Sequence, residues 1–234
     1  NINRSTDILT LLMLQSGVRM TDSEHRSATF SRQVEGQNVG ETALQYYTNF
    51  ADSAKSIYAW NNQQHYSIDA FTEGNVAMMF NYSHQIKTLR SKSARFNFGI
   101  APVPQISETP VAVNFANYWA PTVSKQSKNP VIAWKFLVYL SSAPGAAPYV
   151  NTASRPSARR DLIEQQRNDS DLGVFAVQAL SARSWYQIDN SAIETIFADA
   201  IGNVNFGRMS ARDALEAAEN QVNVLMARAR GGSF

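Results

Sequence analysis

The segment that most limits how this chain can fold is PVIAWKFLVYL, which occupies residues 130–140. Asn129 and Pro130 predict the start of a helix over 128–142, because proline is favoured at the first helical position. The apolar side chains that follow surround the predicted helix instead of forming one stripe. A helix of this kind is normally covered on more than one side. If it is left uncovered, its apolar patch marks an interface.

Composition indicates an ordered globular protein of one large or two small domains. The chain has 234 residues, of which 44% are hydrophobic and 17% are charged. With 21 basic and 19 acidic residues, the net charge of +2 is too small to indicate binding to nucleic acid or to an anionic membrane. There is no cysteine, which excludes a thiolate nucleophile, a disulfide framework and a cysteine-type zinc site, and which fits an oxidising, extracytoplasmic setting.

The pattern of apolar residues predicts an α/β layout with a small sheet. The run Val76–Phe80 is apolar on both faces, as expected of a buried central strand, and 95–104 is predicted as a second strand. A capping box of Ser191 and Glu194 predicts the start of a late helix. The helices are predicted at 5–17, 38–55, 67–74, 83–92, 128–142, 191–207 and 210–228. Because the chain begins within an apolar pattern, without a signal peptide or an initiator methionine, we expect a fragment or a processed piece.

Residues with the spacing of a catalytic or metal site are not found in the sequence. None of the three histidines lies at metal-ligand spacing, and the nucleophile elbow, the phosphate loop and the dinucleotide fingerprint are missing. We therefore predict no catalytic residue, no metal and no cofactor. Paired carboxylates for glycoside hydrolysis stay open as an alternative, with four candidate acids: Asp69, Glu73, Asp189 and Glu194.

Three clusters combine aromatic rings with amide or acid side chains: YAWNN at 58–62, NFANYWAP at 114–121 and SWYQIDN at 184–190. Sugar recognition uses this chemistry, since the C–H face of a pyranose stacks on a ring while its hydroxyls pair with polar side chains. Half-buried packing in a core is the alternative for each cluster.

Five motifs, in order, resemble those of extracellular solute-binding proteins of ABC transporters, in particular the sugar-type, maltose-binding-protein-like family. They span nearly the whole chain and comprise AFTEGNVAMMFNYSHQI, FNFGIAPVP, VSKQSKNPVIAWKFLVYLSS, SRPSARRDL and GRMSARDALEAAENQVNVL. The resemblance implies a helix-rich periplasmic-binding-protein-like type II fold with two α/β lobes and a ligand cleft. It further implies that this chain is incomplete and holds mostly the C-terminal lobe.

The same resemblance implies a division of the chain into three parts. Residues 1–109 would form the α/β portion of the second lobe, and 168–234 its C-terminal helical part. Residues 110–167 would pack on a missing N-terminal lobe, or on a swapped copy of the chain, and this would cover the apolar helix.

The resemblance also implies ligand-binding residues at loop mouths. In the family an aromatic residue, often Trp after Gly, occupies the turn that follows the first strand motif, and here Tyr82 or His84 takes its place. The complete predicted set is Tyr82, His84, Trp185, Tyr186, Asp189, Asn117, Tyr118, Trp119, Asn3, Arg4 and Thr6.

The implied function is that of a substrate-binding component of an ABC importer. It would capture a small solute, a sugar or oligosaccharide in most of the family, and deliver it to the transmembrane subunits of a permease. The implied location is extracytoplasmic, as a periplasmic protein or a cell-surface lipoprotein. Two other function classes stay open: a carbohydrate-active enzyme such as a glycosidase, and a helical protein-interaction or scaffold module.

Overall fold

A computed structural model of the chain describes residues 2–92, 96–106 and 111–231. Within these residues it has ten helices and two short strands. The helices are α1 (Ser5–Gln15), α2 (Val39–Asn49), α3 (Ser67–Thr72), α4 (Gln85–Lys92), α5 (Pro130–Ser141), α6 (Ala143–Ala153), α7 (Arg160–Gln166), α8 (Gly173–Ala179), α9 (Asn190–Asn205) and α10 (Ala211–Gly231). The strands β1 (Asn114–Phe115) and β2 (Ala182–Arg183) form a two-stranded sheet.

The chain is divided into two compact units. Unit 1 comprises Asn1–Phe80, Gln105–Phe115 and Arg183–Phe234, and therefore holds α1, α2, α3, α9 and α10. Unit 2 comprises Asn81–Pro104 and Ala116–Ala182, and holds α4 to α8. The three-part division implied by the family resemblance stays a prediction.

The core of unit 1 forms where α1, α2, α9 and α10 pack against one another. Each of these helices buries residues three or four positions apart, as one face of an amphipathic helix should. The largest fully buried side chains are Phe30, Phe197, Leu9, Met13, Leu44, Leu215 and Val222. Apolar residues at helical spacing in α9 and α10, such as Ile193, Phe197, Leu215 and Val222, are buried in this core.

The start of α9 differs from the predicted capping box. Asp189 is the residue that caps this helix, and its carboxylate accepts a hydrogen bond of 3.0 Å from the backbone N–H of Ala192. The prediction of Ser191 as the cap was wrong because the helix already begins at Asn190. At α10 Ser210 is the capping residue, since its hydroxyl accepts from the N–H of Asp213 at 3.1 Å.

Helix α10 holds the segment 28–31, which leads into a turn, in place through two polar side chains. Glu219 accepts a hydrogen bond of 2.6 Å from the N–H of Ser31. The Asn223 amide accepts from the N–H of Ala28 at 2.7 Å and donates to the carbonyl oxygen of the same residue at 3.4 Å. Glu219 is only 9% exposed, and its carboxylate takes the place of water as the partner of the partly buried N–H group of Ser31.

Replacing Glu219 by alanine should lower the free energy of unfolding by about 1–3 kcal/mol, because it leaves the N–H of Ser31 without its acceptor. Urea denaturation measures this difference. Glu216→Ala, at an exposed position of the same helix, is the matched control and should change stability by less than about 0.5 kcal/mol. Equal effects of the two substitutions would show that the bond to Ser31 does not stabilise the fold.

Unit 2 is a chain of successive helix contacts, from α5 to α6, from α6 to α7 and from α7 to α8. Arg159 joins two of these helices, because its guanidinium donates to the carbonyl oxygen of Ser141 at 2.7 Å and pairs with Asp161 at 2.8 Å. The hydrogen bond from Arg159 lowers the pKa of Asp161. Arg90 of α4 donates in the same forked manner to Asp171, at 2.6 Å for one of the two bonds, and lowers the pKa of that carboxyl.

Three predictions about secondary structure were wrong. Val76–Phe80 is not a strand, and Met78 within it is 87% exposed. Residues 96–104 do not form a strand, and residue 95, where the predicted strand begins, lies outside the described residues. A strand needs a neighbouring backbone to pair with, and in the described part of the chain neither segment has one. Helix α2 ends at Asn49 instead of continuing to 55, and Asp52 accepts from the N–H of Ala54 at 2.9 Å in a local turn that competes with the helix.

Helix α5 confirms the prediction over 128–142, and none of its residues is buried. Most of its apolar side chains are exposed, with exposed fractions of 53% for Trp134, 58% for Phe136 and 66% for Val138, whereas Ala133 and Leu137 are half-buried. We call Val131, Ile132, Trp134, Phe136, Val138, Tyr139 and Leu140 the α5 face. An apolar surface of this extent on a soluble protein usually marks an interface.

Candidate functional site

Asn3, the first of the predicted site residues, contacts an exposed tyrosine that the sequence analysis missed. The N–H of Asn3 donates to the hydroxyl of Ser67 at 3.0 Å, and the Asn3 amide also donates to the hydroxyl of Tyr66. Arg4 adopts a left-handed backbone with φ of 58°, and its carbonyl oxygen accepts from the N–H groups of Asp7 and Ile8. Thr6 is buried, whereas Tyr66 is 42% exposed. Asn3 and Tyr66 therefore present an amide and a ring together.

The cluster SWYQIDN divides between the core and the surface of unit 1. Trp185 packs on Phe30 and Phe197, whose ring centroids lie 6.3 Å and 6.0 Å from its own. Core packing therefore covers much of the surface of the Trp185 ring. Tyr186 is 44% exposed, and its ring lies 5.7 Å from that of His25. Asp189 is exposed and caps α9. Ligand contacts by these residues stay predictions.

In unit 2 the predicted residues Tyr82 and His84 lie together at the start of α4. Their rings are stacked, with centroids 5.8 Å apart and planes inclined by 17°. The carbonyl oxygen of Tyr82 accepts from the N–H of Gln85 at 3.0 Å, which ties this turn to the helix. Both rings are half-buried, so part of each faces outward. The pair forms an aromatic surface of the kind that sugar rings stack on.

The other predicted residues of unit 2 lie on a solvent-exposed segment without regular secondary structure. Trp119 is 96% exposed and Tyr118 is 65% exposed, and Asn117 is exposed as well. An exposed tryptophan of this kind is uncommon on a soluble protein unless it contacts a ligand or a partner.

Two pockets are lined only by described residues of unit 1. The larger, of about 460 Å³, is lined by polar and charged side chains that include Arg32, Glu41 and Arg212. Nε of Arg212 lies 3.0 Å from a carboxylate oxygen of Glu41, so the two charges form an ion pair. The hydrogen bond to Glu41 raises the pKa of Arg212. The smaller, of about 100 Å³, is lined partly by aromatic rings, among them that of Trp60. Among the described residues, no group of three or more acidic or histidine side chains could hold a metal ion.

Comparison with known protein families gives a match over most of the chain. Residues 3–172 match the family described as bacterial extracellular solute-binding protein. The chain belongs to this family. No curated protein sequence matches it.

Solved structures of solute-binding proteins share the fold. A cyclo/maltodextrin-binding protein complexed with maltotetraose is 16% identical, with a TM-score of 0.70 over 100% of this chain and 60% of its own. An ABC transporter solute-binding protein of Thermotoga lettingae TMO, bound with α-D-tagatose, is 19% identical, with a TM-score of 0.67 over 94% of this chain and 56% of its own. The GacH receptor of Streptomyces glaucescens GLA.O, solved unliganded and with acarbose, is 22% identical, with a TM-score of 0.65 over 97% of this chain and 58% of its own.

These matches confirm the predicted family and a partial, helix-rich version of its fold. The chain spans less than two thirds of the length of each of these three structures. The description of the family includes the word extracellular. In the described part of this solute-binding protein, no helix combines the length and the apolar character needed to cross a bilayer.

Proposed function

We propose that the protein is the substrate-binding component of an ABC importer and that its solute is a sugar or an oligosaccharide. The observation that carries the proposal is the family match over residues 3–172. The similar structures were solved with carbohydrate or carbohydrate-like ligands, namely maltotetraose, tagatose and acarbose. A permease would be the partner that receives the solute, outside the cytoplasm.

The exposed rings and amides of both units supply the chemistry that the proposal needs. In unit 2 the stacked Tyr82–His84 pair and the exposed Trp119 offer faces for the C–H side of a sugar ring. In unit 1 Asn3 and Tyr66 offer an amide and a phenol for hydroxyl groups. The other predicted contacts are Arg4, Thr6, Asn117, Tyr118, Trp185, Tyr186 and Asp189.

The α5 face supports the expectation that residues 110–167 pack on a further lobe. The similar structures are longer than this chain, which covers 56–60% of their lengths. We propose that the α5 face is covered by the remaining part of such a fold, with a swapped copy or a partner chain as the alternatives. This arrangement would remove the apolar side chains of the α5 face from water. Each Å² of apolar surface buried in this way stabilises the protein by about 25 cal/mol.

We propose that the protein binds its solute without chemical turnover. The family and the similar structures are binding proteins of transporters. Asp189, one of the acids considered for glycoside hydrolysis, is used as a helix cap. Hydrolysis of chromogenic glycosides by the protein, abolished by Asp189→Asn or Glu194→Gln, would contradict the proposal and favour the glycosidase alternative.

Calorimetric titration of the full-length protein with maltotetraose, acarbose and tagatose tests the proposal directly. We expect saturable binding of at least one of these sugars, and a loss of about tenfold in affinity for Tyr82→Ala, because truncation of an aromatic anchor removes more than about 1 kcal/mol. Tyr149→Ala, an exposed tyrosine outside the predicted site, is the control and should bind like the wild type. If the wild type binds none of the three sugars, the carbohydrate proposal fails.

A further inference from the structure

His25, which was not assigned to the predicted site, lies beside Tyr186, which was. The two rings belong to unit 1 and have centroids 5.7 Å apart, with planes inclined by 36°. His25 is exposed and Tyr186 is 44% exposed, so both rings reach solvent. In unit 2 the predicted contacts Tyr82 and His84 form a pair of the same composition, with centroids 5.8 Å apart. Each unit therefore carries a tyrosine–histidine pair that solvent can reach.

Hydrogen bonds hold His25 in a left-handed backbone conformation, with φ of 54°. The carboxylate of Asp22 accepts from the N–H of Arg26 at 2.8 Å and from the hydroxyl of Ser27 at 2.6 Å. The carbonyl oxygen of Asp22 accepts from the N–H of His25 at 3.1 Å. Arg230 of α10 donates to the carbonyl oxygen of Arg26. Few residues other than glycine adopt this conformation, and where they do, the strain is often linked to function.

The imidazole of His25 is fixed through one ring nitrogen and open at the other. The hydroxyl of Thr21 lies 2.8 Å from Nδ1, and Nε2 has no partner among the residues the structure describes. Depending on the tautomer, Nε2 donates or accepts a hydrogen bond, and a sugar hydroxyl can do either. In the same described part of the chain, the hydroxyl of Tyr186 has no protein partner. The pair thus offers ring surfaces and polar atoms together, the combination with which proteins recognise sugars.

We infer that His25 is a further sugar-binding residue, which acts together with Tyr186. The imidazole Nε2 forms a hydrogen bond with a hydroxyl group of the bound sugar, while the tyrosine ring contacts C–H groups of the same sugar. Because the hydrogen bonds fix the loop around His25 before the sugar arrives, little conformational entropy is lost on binding. This inference rests on the proposed function and adds one residue to the predicted site.

The test uses the full-length protein labelled with ¹³C in its three histidine rings and titrated with unlabelled maltotetraose, acarbose and tagatose. His25→Gln identifies the ring signals of His25. With the sugar that binds, we expect these signals to shift and the ring protons to show cross-relaxation with sugar protons. The affinity of His25→Ala should fall about three- to tenfold, the effect of one neutral hydrogen bond. Glu24→Ala, at an exposed position of the same loop, is the control and should bind like the wild type.

The outcomes separate the two proposals. If the wild type binds a sugar without cross-relaxation to His25, this residue does not contact the sugar, and the inference is wrong while the proposed function stands. Equal losses of affinity in His25→Ala and Glu24→Ala would show that the loop acts only through its fold, which also overturns the inference. If the wild type binds none of the sugars, both proposals fail. The spectrum of the wild-type protein decides the question even if His25→Ala does not fold.

Discussion

Replacing Gly40 by alanine is expected to lower the free energy of unfolding by about 3 kcal/mol or more, although the same change within a helix normally stabilises it. A Cβ atom at this position would lie 2.2 Å from the carbonyl oxygen of Phe30 and 3.0 Å from Cδ2 of Leu215. The carbonyl oxygen cannot easily move away, because the side chain of Phe30 is fully buried and the N–H of Ser31 is hydrogen-bonded to Glu219. Denaturation in urea measures the loss.

Gly202→Ala is the matched control for this experiment. Gly202 also lies within a helix, α9, but a Cβ there would meet only the ring of Phe206, at 4.0 Å. Without a clash, the lower conformational entropy of the unfolded chain should raise stability by about 0.5–1 kcal/mol. Opposite signs for the two substitutions would confirm the close approach of α2 to Phe30. Wild-type stability for Gly40→Ala would refute it.

Replacing Phe197 by alanine is expected to be the most damaging single truncation in unit 1, with a loss of about 3–5 kcal/mol. Phe197 is 2% exposed, and its ring lies 5.2 Å from that of Phe30 and 6.0 Å from that of Trp185. Its removal would leave a cavity beneath Trp185, the residue that precedes the predicted contact Tyr186. Thermal unfolding followed by circular dichroism measures the loss, and the tryptophan emission reports on Trp185.

Phe206→Ala is the control for the truncation, because this ring is 57% exposed at the end of the same helix. The guanidinium carbon of Arg208 lies 5.0 Å from the centroid of the Phe206 ring. This exposed cation–π interaction contributes about 0.5–1 kcal/mol to stability. If Phe197→Ala unfolded at the temperature of Phe206→Ala, the aromatic cluster would not be the centre of the unit 1 core.

The helices were predictable because their signals are local. The spacing of Ile193, Phe197 and Ile201 predicts the buried face of α9, and the structure confirms it. Proline at the first position of α5 and Gly17 after α1 mark helix boundaries within a few residues. The end of α2 was missed because the turn at Asp52 competes with a helical pattern that continues in the sequence.

Strands were harder to predict than helices, because a strand is stabilised by another segment of backbone. The apolar run Val76–Phe80 has the composition of a central strand, yet composition does not say whether a partner lies beside it. The described residues supply no partner, and the side chain of Phe80 is 48% exposed.

In the predicted site, contacts between residues close in sequence were predictable, whereas contacts between residues far apart in sequence were not. Tyr82 and His84 are two residues apart, and the structure stacks their rings. The aromatic cluster around Trp60 was noticed in the sequence, but its pocket depends on Asn205 and Ile201, which lie about 140 residues further along. Tyr66 was missed because its bond with Asn3 joins residues 63 positions apart.

The bonds from α10 to the segment 28–31 have a consequence for folding during synthesis. The bond between Asn223 and Ala28 spans 195 residues, so it forms only after α10 has left the ribosome. At about 5–20 residues per second, α1 and α2 wait on the order of ten seconds or more for the helix that completes their core. Meanwhile their apolar faces are open to aggregation. A chaperone that holds the nascent chain would therefore be expected to raise the yield of folded protein.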